Sequence, residues 1–252
     1  MATAKKVAFI TGGNRGIGLE TARGLAELGY AVALGCRDVD RGREAADELK
    51  AGGAEDVMVV RCDVADVVNH ETLHRSLRDR YGKLDALVNN AGIMVDPGSD
   101  FHDGGVNTTL TVPMEVLRAT FDVNFFAVVS LTRALLPLVR KSPAGRIVNL
   151  SSVLSSLTLH ADPRSPIYPM KAFAYDASKT ALNAFTIHLA HELRDTPIKV
   201  NSAHPGWVKT ELGGPRAMLP VSEGGKTSVR LATLPPDGPT GGHFHLGDPV
   251  PW

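Results

Sequence analysis

Short apolar runs alternate with longer amphipathic segments along most of the chain. Seven of the short runs are uncharged or nearly so and predict buried β-strands at Val7–Ile10, Ala31–Cys36, Val57–Arg61, Ala86–Asn89, Ile147–Leu150, Ile198–Ala203 and Gly242–Leu246. Apolar residues at helical spacing predict helices at Gly16–Leu28, Arg41–Lys50, Glu71–Tyr81, Ala174–Arg194 and Ser222–Leu234. Strands that alternate with helices in this way indicate repeated βαβ units.

This alternation predicts one α/β domain over residues 1–252, a doubly wound, mostly parallel seven-stranded sheet with helices on both faces. No composition shift or internal repeat suggests a boundary. Three irregular stretches, Val95–Thr111, His160–Phe173 and Glu211–Val221, follow predicted strands or lie just beyond them. Ligands of open α/β sheets bind outside the carboxyl ends of the strands, so we expect these stretches to form the walls of a substrate site.

Charge and cysteine content narrow the possible partners. Lys plus Arg and Asp plus Glu both number 27, so no net charge favours nucleic acid or an anionic membrane. Cys36 and Cys62 each end an apolar run and indicate small buried side chains in a reducing compartment. We find no signal peptide at Met1–Lys6 and no stretch long enough to span a bilayer, and we expect a cytoplasmic protein. The scattered histidines lack metal-ligand spacing, which predicts no metal site.

A glycine-rich segment, Thr11–Gly18, follows the first predicted strand and opens the first helix. Glycines allow a tight turn and a close approach to a pyrophosphate, and free N–H groups at the helix start attract its charge. Many glycine runs are only turns, but this position between strand and helix predicts dinucleotide binding. The residues expected to bind are Gly12, Asn14, Arg15, Gly16, Ile17 and Gly18.

The end of the second strand bears on the choice of cofactor. NAD sites usually carry an acidic residue about 20 positions after the first glycine, but here Cys36 and Arg37 occupy that region. A guanidinium can bind the 2′-phosphate of NADP bidentately, and Arg15 could reach the same group. We therefore predict NADPH/NADP+, while two alternatives stay open: both arginines are ordinary surface cations, or Asp38 hydrogen-bonds to an NAD ribose.

The spacing T-G-x-x-x-G-x-G at Thr11–Gly18 resembles that of the short-chain dehydrogenase/reductase family, and matches continue from Val7 to the C-terminus. Several phrases are similar to the carbonyl-reductase branch, namely Thr11–Gly18, Cys36–Asp38, His204–Thr210 and Leu234–Gly242. The resemblance implies a Rossmann-type fold and NADP-dependent carbonyl chemistry. It also implies further cofactor contacts at Asp63, Val64, Asn90, Ala91, Gly92, Pro205, Gly206, Trp207, Val208 and Thr210.

The family's Tyr-x-x-x-Lys signature occurs here only at Tyr175 and Lys179. Residues at i and i+4 share a helix face, and a nearby ammonium favours the phenolate form of a tyrosine. The resemblance implies that both contact the cofactor, that Tyr175 is the proton donor and that Ser152 polarises the substrate carbonyl. Ser151 and Ser155 stay open as alternatives for that serine. Asn124 is expected to position a water beside the lysine, or else to be an amide bonded to backbone in the core.

Together these features predict an NADPH-dependent oxidoreductase that reduces a ketone or aldehyde to an alcohol, with a small molecule as its partner. Three other functions are weighed: an NAD(P)-dependent alcohol dehydrogenase working oxidatively, a non-catalytic NADP-binding redox sensor, and a nucleotide-sugar epimerase or dehydratase. The sensor commonly lacks the tyrosine or lysine. The epimerases usually carry a larger C-terminal domain than the 73 residues that follow Lys179.

The gap of 23 positions between Ser152 and Tyr175 is longer than is typical of the family. The extra length, around His160–Phe173, resembles a shortened form of the insertion found in monomeric carbonyl reductases, so both a monomer and a homo-oligomer stay open. Six large side chains could form an apolar wall for the substrate or simply pack the core: Leu154, Tyr168, Met170, Phe173, Trp207 and Met218.

Overall fold

The central feature of the structure, a computed structural model that describes residues 5–96 and 108–252, is one eight-stranded sheet. Its strands are β1 (Val7–Thr11), β2 (Ala31–Cys36), β3 (Val57–Arg61), β4 (Ala86–Asn89), β5 (Arg146–Leu150), β6 (Lys199–Ala203), β7 (His243–His245) and β8 (Asp248–Pro249). The order is β3-β2-β1-β4-β5-β6-β7-β8, and only the β7–β8 pair is antiparallel. The predicted doubly wound, mostly parallel sheet is confirmed.

Helices cover both faces of this sheet. They are α1 (Gly16–Glu27), α2 (Val39–Ala51), α3 (Val67–Tyr81), α4 (Met114–Phe121), α5 (Ala127–Val139), α6 (Leu157–Ala161), α7 (Phe173–Glu192), α8 (Val221–Gly224) and α9 (Lys226–Ala232). Alternate residues of β1 point to opposite faces: Val7 and Phe9 pack in the core under α3, α5 and α7, while Ala8 and Ile10 pack under α1, α2 and α9. The two cores explain why central strands such as β1 and β2 are apolar at positions that face either side of the sheet.

The sheet has one strand more than predicted. β8 has two residues, Asp248 and Pro249, and pairs with Phe244 and His245 at the end of the sheet. Leu246 and Gly247, both with positive φ, make the tight turn between β7 and β8. Because β8 is short, exposed and not apolar, it lacks the hydrophobic run by which the other strands are detected.

The helical segment Met114–Val139 was absent from the helices predicted by periodicity. It contains α4, a π-helical turn at Asp122–Phe126 and α5, and the spacing of Leu131, Leu135 and Val139 was a readable signal for it. The sequence was expected to contain no stretch long enough to span a bilayer. By length and composition alone that expectation was wrong, because the 26 residues Met114–Val139 are long and apolar enough. The buried side of α5 packs against α3 and the sheet, as expected for a core helix.

The last predicted helix is divided in the structure. Gly225 separates α8 from α9, and a Cβ at this position would lie 2.7 Å from the backbone of Glu20 and Thr21 in α1. This close contact of two helices requires glycine, and glycine favours the break. The sheet order reverses between β1 and β4, so the crevice outside the carboxyl ends of these strands is the expected ligand site.

Candidate functional site

The carboxyl ends of six neighbouring parallel strands each carry one of the predicted site segments. The glycine turn follows β1, and the other segments are Arg37 after β2, Asp63 and Val64 after β3, Asn90–Gly92 after β4, Ser152 after β5 and Pro205–Thr210 after β6. Because parallel strands end at the same edge of a sheet, the fold brings segments from the first 210 residues to one edge.

The turn after β1 is so tight that glycine is required in it. Gly12 has φ +64°, and its N–H donates to the Gly35 carbonyl at 2.7 Å. A Cβ on Gly18 would lie 2.2 Å from the Gly12 carbonyl oxygen, far inside contact distance. No side chain caps the start of α1 at this turn. The backbone can therefore approach a bound phosphate group closely, as the glycine spacing predicted.

The asparagine pair at the end of β4, Asn89 and Asn90, joins the central strands. Asn90 N–H donates to the Thr11 hydroxyl at 2.9 Å, and its side-chain amide donates to the Thr11 carbonyl at 2.8 Å. The Asn89 amide donates to Asn149 on β5 at 2.8 Å and to Thr132 on α5 at 3.0 Å. Both asparagines thus hold the loops around the crevice in register, and Ala91 and Gly92 follow directly beside it.

The two charged residues that follow β2, Arg37 and Asp38, differ in whether their side chains have partners within the protein. Asp38 caps α2, since it accepts from Asp40 N–H at 3.0 Å and Arg41 N–H at 3.1 Å. Arg37 is exposed, and no carboxylate pairs with it among the residues that the structure describes. Arg15, also exposed, forms an ion pair with Glu211 in the loop after β6. The carboxylate of Asp38 is therefore already engaged, whereas the Arg37 guanidinium is available to an anion.

The segment after β6 faces the glycine turn. Gly206 has φ +88°, and the methyl group of Thr210 would be 3.4 Å from a Cβ on Gly16. The Trp207 indole N–H donates to the Gly213 carbonyl at 2.8 Å, and Val208 pairs with Leu219. This segment closes the crevice on the side of the sheet opposite β2 and β3.

Asp63, Val64 and His204 lie at the ends of β3 and β6, and each makes contacts within the protein. The Val64 side chain packs in the core, and the Asp63 carboxylate accepts from Ala65 N–H at 3.2 Å. Of these two residues, only Asp63 has a side chain that is not buried. His204 accepts from Val153 N–H at 3.2 Å. Burial and its two neighbouring histidines lower the pKa of His204 to about 3, which keeps the ring neutral.

Tyr175 and Lys179 lie on one face of α7, and both side chains are buried. The Lys179 Nζ lies 5.7 Å from the centroid of the Tyr175 ring and donates to the Leu150 carbonyl at 2.7 Å. Burial raises the pKa of Tyr175 to about 12, although a hydrogen bond with Ser152 acts to lower this pKa. Burial also lowers the pKa of Lys179 to about 8. The site thus combines a protonated phenol with a lysine that titrates near neutral pH.

Three serines follow β5, and their contacts distinguish them. Ser151 donates to the side chain of Asn183 at 2.8 Å, and the same asparagine donates to Ser155 at 2.6 Å, so both hydroxyls belong to a buried polar network. Ser152 instead accepts from Leu154 N–H at 3.1 Å and is the serine that hydrogen-bonds with Tyr175. Ser152 is therefore the serine of the three that shares a site with the tyrosine.

Asn124 lies in the π-helical turn and is fully buried. Its carbonyl oxygen accepts from Ile93 N–H at 2.8 Å, and its amide donates to the Ile93 carbonyl at 2.8 Å and to Ser178 at 3.0 Å. A Cβ on Gly92 would lie 3.2 Å from the Asn124 oxygen and 3.3 Å from Lys179 Nζ. The side chain of Asn124 is thus bonded to the backbone of Ile93 and lies close to Lys179.

Residues from the long segment between Ser152 and Tyr175 pack directly around the tyrosine. Leu154, Ile167 and Ala172 form a small apolar cluster with Tyr175, and Met170 packs against this cluster. Three of the six proposed wall residues are exposed, namely Tyr168, Phe173 and Met218. α6 occupies part of this region, and the part of the Val95–Thr111 stretch between Asp96 and Thr108 lies outside the described residues.

Asp96 and Thr108 also contact the start of α7, and neither was among the site residues predicted from the sequence. Asp96 is 79 positions from Tyr175 and is not part of any recognisable motif. No local signal in the sequence could therefore have revealed its contact with Tyr175. Among the described residues no group of three or more His, Cys, Asp or Glu side chains is arranged to bind a metal ion.

Comparisons with known proteins agree with this geometry. The family model "short chain dehydrogenase" matches residues 6–217. Carbonyl reductase [NADPH] 1 of Homo sapiens is 33% identical, with 96% of each chain covered, and salutaridine reductase of Papaver bracteatum is 32% identical, with 95% of this chain and 94% of the relative covered. The NADPH-bound carbonyl reductase from chicken fatty liver superposes with a TM-score of 0.81 at 26% identity, over 98% of this chain and 99% of that one.

The chain therefore belongs to the short-chain dehydrogenase/reductase family, in its carbonyl-reductase-like branch. It is an oxidoreductase acting on carbonyl or CH–OH groups.

Proposed function

We propose that this protein is an NADPH-dependent carbonyl reductase, which converts a ketone or aldehyde to an alcohol with a proton from Tyr175. The observation that carries the proposal is the buried group formed by Tyr175, Lys179 and Ser152 at the sheet edge that also carries the glycine turn. The printed names of relatives that align over nearly the whole chain include reductases of this kind.

The residues around the crevice fit NADP. The glycine turn leaves space that side chains would fill, and the uncapped start of α1 suits the pyrophosphate. Arg37 is available for the 2′-phosphate, while the Asp38 carboxylate caps α2 and pairs with Arg41. Asn90–Gly92 and Pro205–Thr210 would border the nicotinamide half from two sides. When bound, NADPH supplies the hydride.

The chain's own groups would hold the substrate oxygen and move the proton. Ser152 and Tyr175 would both donate hydrogen bonds to the carbonyl oxygen, which polarises it. Because its pKa is about 12, Tyr175 keeps its proton at neutral pH and can donate it as a general acid. Lys179, which carries its charge below a pH of about 8, would stabilise the phenolate.

We assign Asn124 and its neighbours the return of the proton. The hydrogen bonds from Asn124 to Ile93 and Ser178 keep the loop after β4 and the middle of α7 together beside Lys179. A water held at this place would restore the proton to Tyr175 through Lys179. The apolar side chains around Tyr175, including Leu154 and Met170, favour aromatic or other hydrophobic ketones as substrates.

The test is NADPH consumption with a panel of aromatic and aliphatic ketones and aldehydes, repeated with NADH, for the wild type and Tyr175→Phe. We expect the wild type to reduce members of the panel and Tyr175→Phe to lose about 10³-fold or more in kcat, the upper range of general acid catalysis. The Kd of NADPH, from fluorescence titration, should stay within about twofold because the phenol contributes little to nucleotide binding.

Tyr81→Phe is the matched control, since the hydroxyl of Tyr81 contacts Asp56 on a distant surface. It should leave kcat unchanged. An equal loss of NADPH binding and turnover in Tyr175→Phe would identify a structural tyrosine, and a wild type that binds NADPH but reduces no carbonyl would contradict the proposal.

A further inference from the structure

We propose that Asp96 is a positioning residue for Tyr175, and that it holds the proton donor in place by capping the helix that carries it. The inference rests on the proposed function, because it concerns the placement of that proton donor. Asp96 precedes Tyr175 by 79 positions, and its side chain is buried against the start of α7.

The first three N–H groups of α7 are all bonded by side chains from outside the helix. Phe173 N–H donates to the Thr108 hydroxyl at 2.8 Å, and Ala174 N–H and Tyr175 N–H donate to the two carboxylate oxygens of Asp96 at 2.9 and 3.1 Å. A helix normally receives such bonds from the side chain at its N-cap. Here the N-cap is Ala172, which cannot supply one.

The cap is itself held rigidly. The Thr108 hydroxyl donates to Asp96 at 3.0 Å, and the Thr108 backbone N–H donates to the Lys171 carbonyl at 3.1 Å. Asp96 and Thr108 are only 3% and 2% exposed, so water does not compete for these bonds. A buried carboxylate at a helix N-terminus gains from charge-assisted hydrogen bonds and from the helix dipole, which makes this an unusually strong cap.

This cap bonds directly to the backbone of Tyr175, the proposed proton donor. The bond from Asp96 to the Tyr175 backbone fixes where α7 begins, and thereby the distance of the phenol from Ser152 on the next strand end. A displacement of a catalytic group by about 1 Å can cost about 10²-fold in rate. A carboxylate that contributed only to stability could cap any of the nine helices described here, but this one bonds the backbone of the proton donor itself.

Other titratable groups surround this helix start. Asp176, the next residue on α7, is buried, and burial together with the charge of Asp96 raises its pKa to about 8. His160 Nε2 lies 3.4 Å from the Asp176 carboxylate, and Lys171 Nζ lies 3.0 Å from His160 Nδ1. The positive charge of Lys171 opposes the rise in the pKa of Asp176. Removal of the charge at Asp96 should therefore lower the pKa of Asp176.

The deciding variant is Asp96→Asn, which keeps the size of the side chain but leaves one oxygen for two N–H groups. We expect kcat to fall about 10- to 100-fold, as for a small displacement of the phenol. The Kd of NADPH should stay within about twofold. Amide hydrogen exchange should accelerate in the first turn of α7 while the middle of the helix stays protected, a readout that does not depend on activity.

Two variants separate positioning from stability. Asp66→Asn makes the same change at the cap of α3, where Asp66 accepts from Val68 N–H at 3.1 Å, and should leave kcat unchanged. Thr108→Val removes the bond to Phe173 but keeps an acceptor for Tyr175, so it should lower the melting temperature with a smaller loss of kcat than Asp96→Asn. Thr108→Ser, which retains the hydroxyl, should restore both.

The inference is overturned if Asp96→Asn keeps kcat within about twofold of the wild type, or if Thr108→Val and Asp96→Asn lose kcat equally at equal loss of stability. It is also overturned if NADPH binding and kcat fall together. Failure of the proposed function would give a different result. The wild type would then reduce no carbonyl, although amide exchange would show that the start of its α7 is protected.

Discussion

The starts of α1 and α7 offer the same chemistry, a set of backbone N–H groups at a helix N-terminus, and the molecule uses them in opposite ways. No side chain caps α1, and its first turn contains Gly16 and Gly18 and no acidic residue. The start of α7 is closed by the buried carboxylate of Asp96 and the hydroxyl of Thr108. An open N-terminus can bind the phosphates of a ligand, whereas a closed one holds its own residues still.

The two helix starts also differ in how the chain builds them. The glycine turn is made by residues that are contiguous in sequence, and its shape follows from the absence of side chains. The start of α7 is made by Asp96 and Thr108, which lie in other segments of the chain and meet Tyr175 only in the folded protein. The proposed ligand binding at α1 therefore depends on space, and the proposed proton donation at α7 depends on long-range hydrogen bonds.

The largest effect is expected from Gly18→Ala. The added methyl group would lie 2.2 Å from the Gly12 carbonyl oxygen, so the turn at the open N-terminus must rearrange. We expect NADPH binding to fall below detection in a fluorescence titration. Gly52→Ala is the control, because Gly52 has φ −80° at the exposed end of α2 and a Cβ there would lie 3.3 Å from its nearest neighbour, the Leu49 carbonyl oxygen, so a small adjustment accommodates the methyl group. Tight NADPH binding by Gly18→Ala would show that space at this turn is not what admits the ligand.

A smaller effect is expected from Arg37→Ala. Loss of a charge-assisted bond to the 2′-phosphate is worth about 1.5–3 kcal/mol, which corresponds to a rise of about 10- to 100-fold in the KM of NADPH. The KM of NADH should change little, since NADH lacks that phosphate. Arg43→Ala, on the exposed face of α2 where Arg43 pairs with Asp40, should change neither value. An unchanged ratio of the two KM values would contradict the assignment of Arg37.

The smallest effect concerns stability at the closed helix start, where Asp176 has a pKa raised from 3.8 to about 8. The unfolded chain ionises Asp176 at a lower pH than the folded protein does, so the free energy of unfolding should fall as pH rises from about 4 to 8. Asp176→Asn removes this loss and should be more stable than the wild type at pH 8, with a difference that shrinks as the pH falls toward 4, as measured by urea unfolding.

Asp195→Asn, at an exposed position after α7, should show the wild-type dependence on pH. Equal pH slopes for the wild type and Asp176→Asn would mean that Asp176 ionises normally. The closed start of α7 would then be no more sensitive to pH than the open start of α1.

By itself, the sequence determined the architecture and most candidate residues. Seven of the eight strands were readable because each contains a short run with few charges, and β1, β2, β4 and β5 are buried at every residue. The glycine turn and the Tyr175–Lys179 pair were readable because their geometry is local, set by a turn or by one helical repeat. The segment Met114–Val139 was missed although its periodicity is visible, and β8 was missed because it has no apolar run.

Only the tertiary structure decided among alternatives that differ in long-range contacts. The sequence alone does not distinguish Ser151, Ser152 and Ser155. In the structure they differ in their partners on α7, because Ser151 and Ser155 bond with Asn183 and Ser152 bonds with Tyr175. The structure also shows a contact of Asp38 that the sequence did not predict, since its carboxylate caps α2. The cap of α7 by Asp96 could not be read at all, because a hydrogen bond between residues 79 positions apart exists only after the sheet has brought the ends of β4 and β5 together.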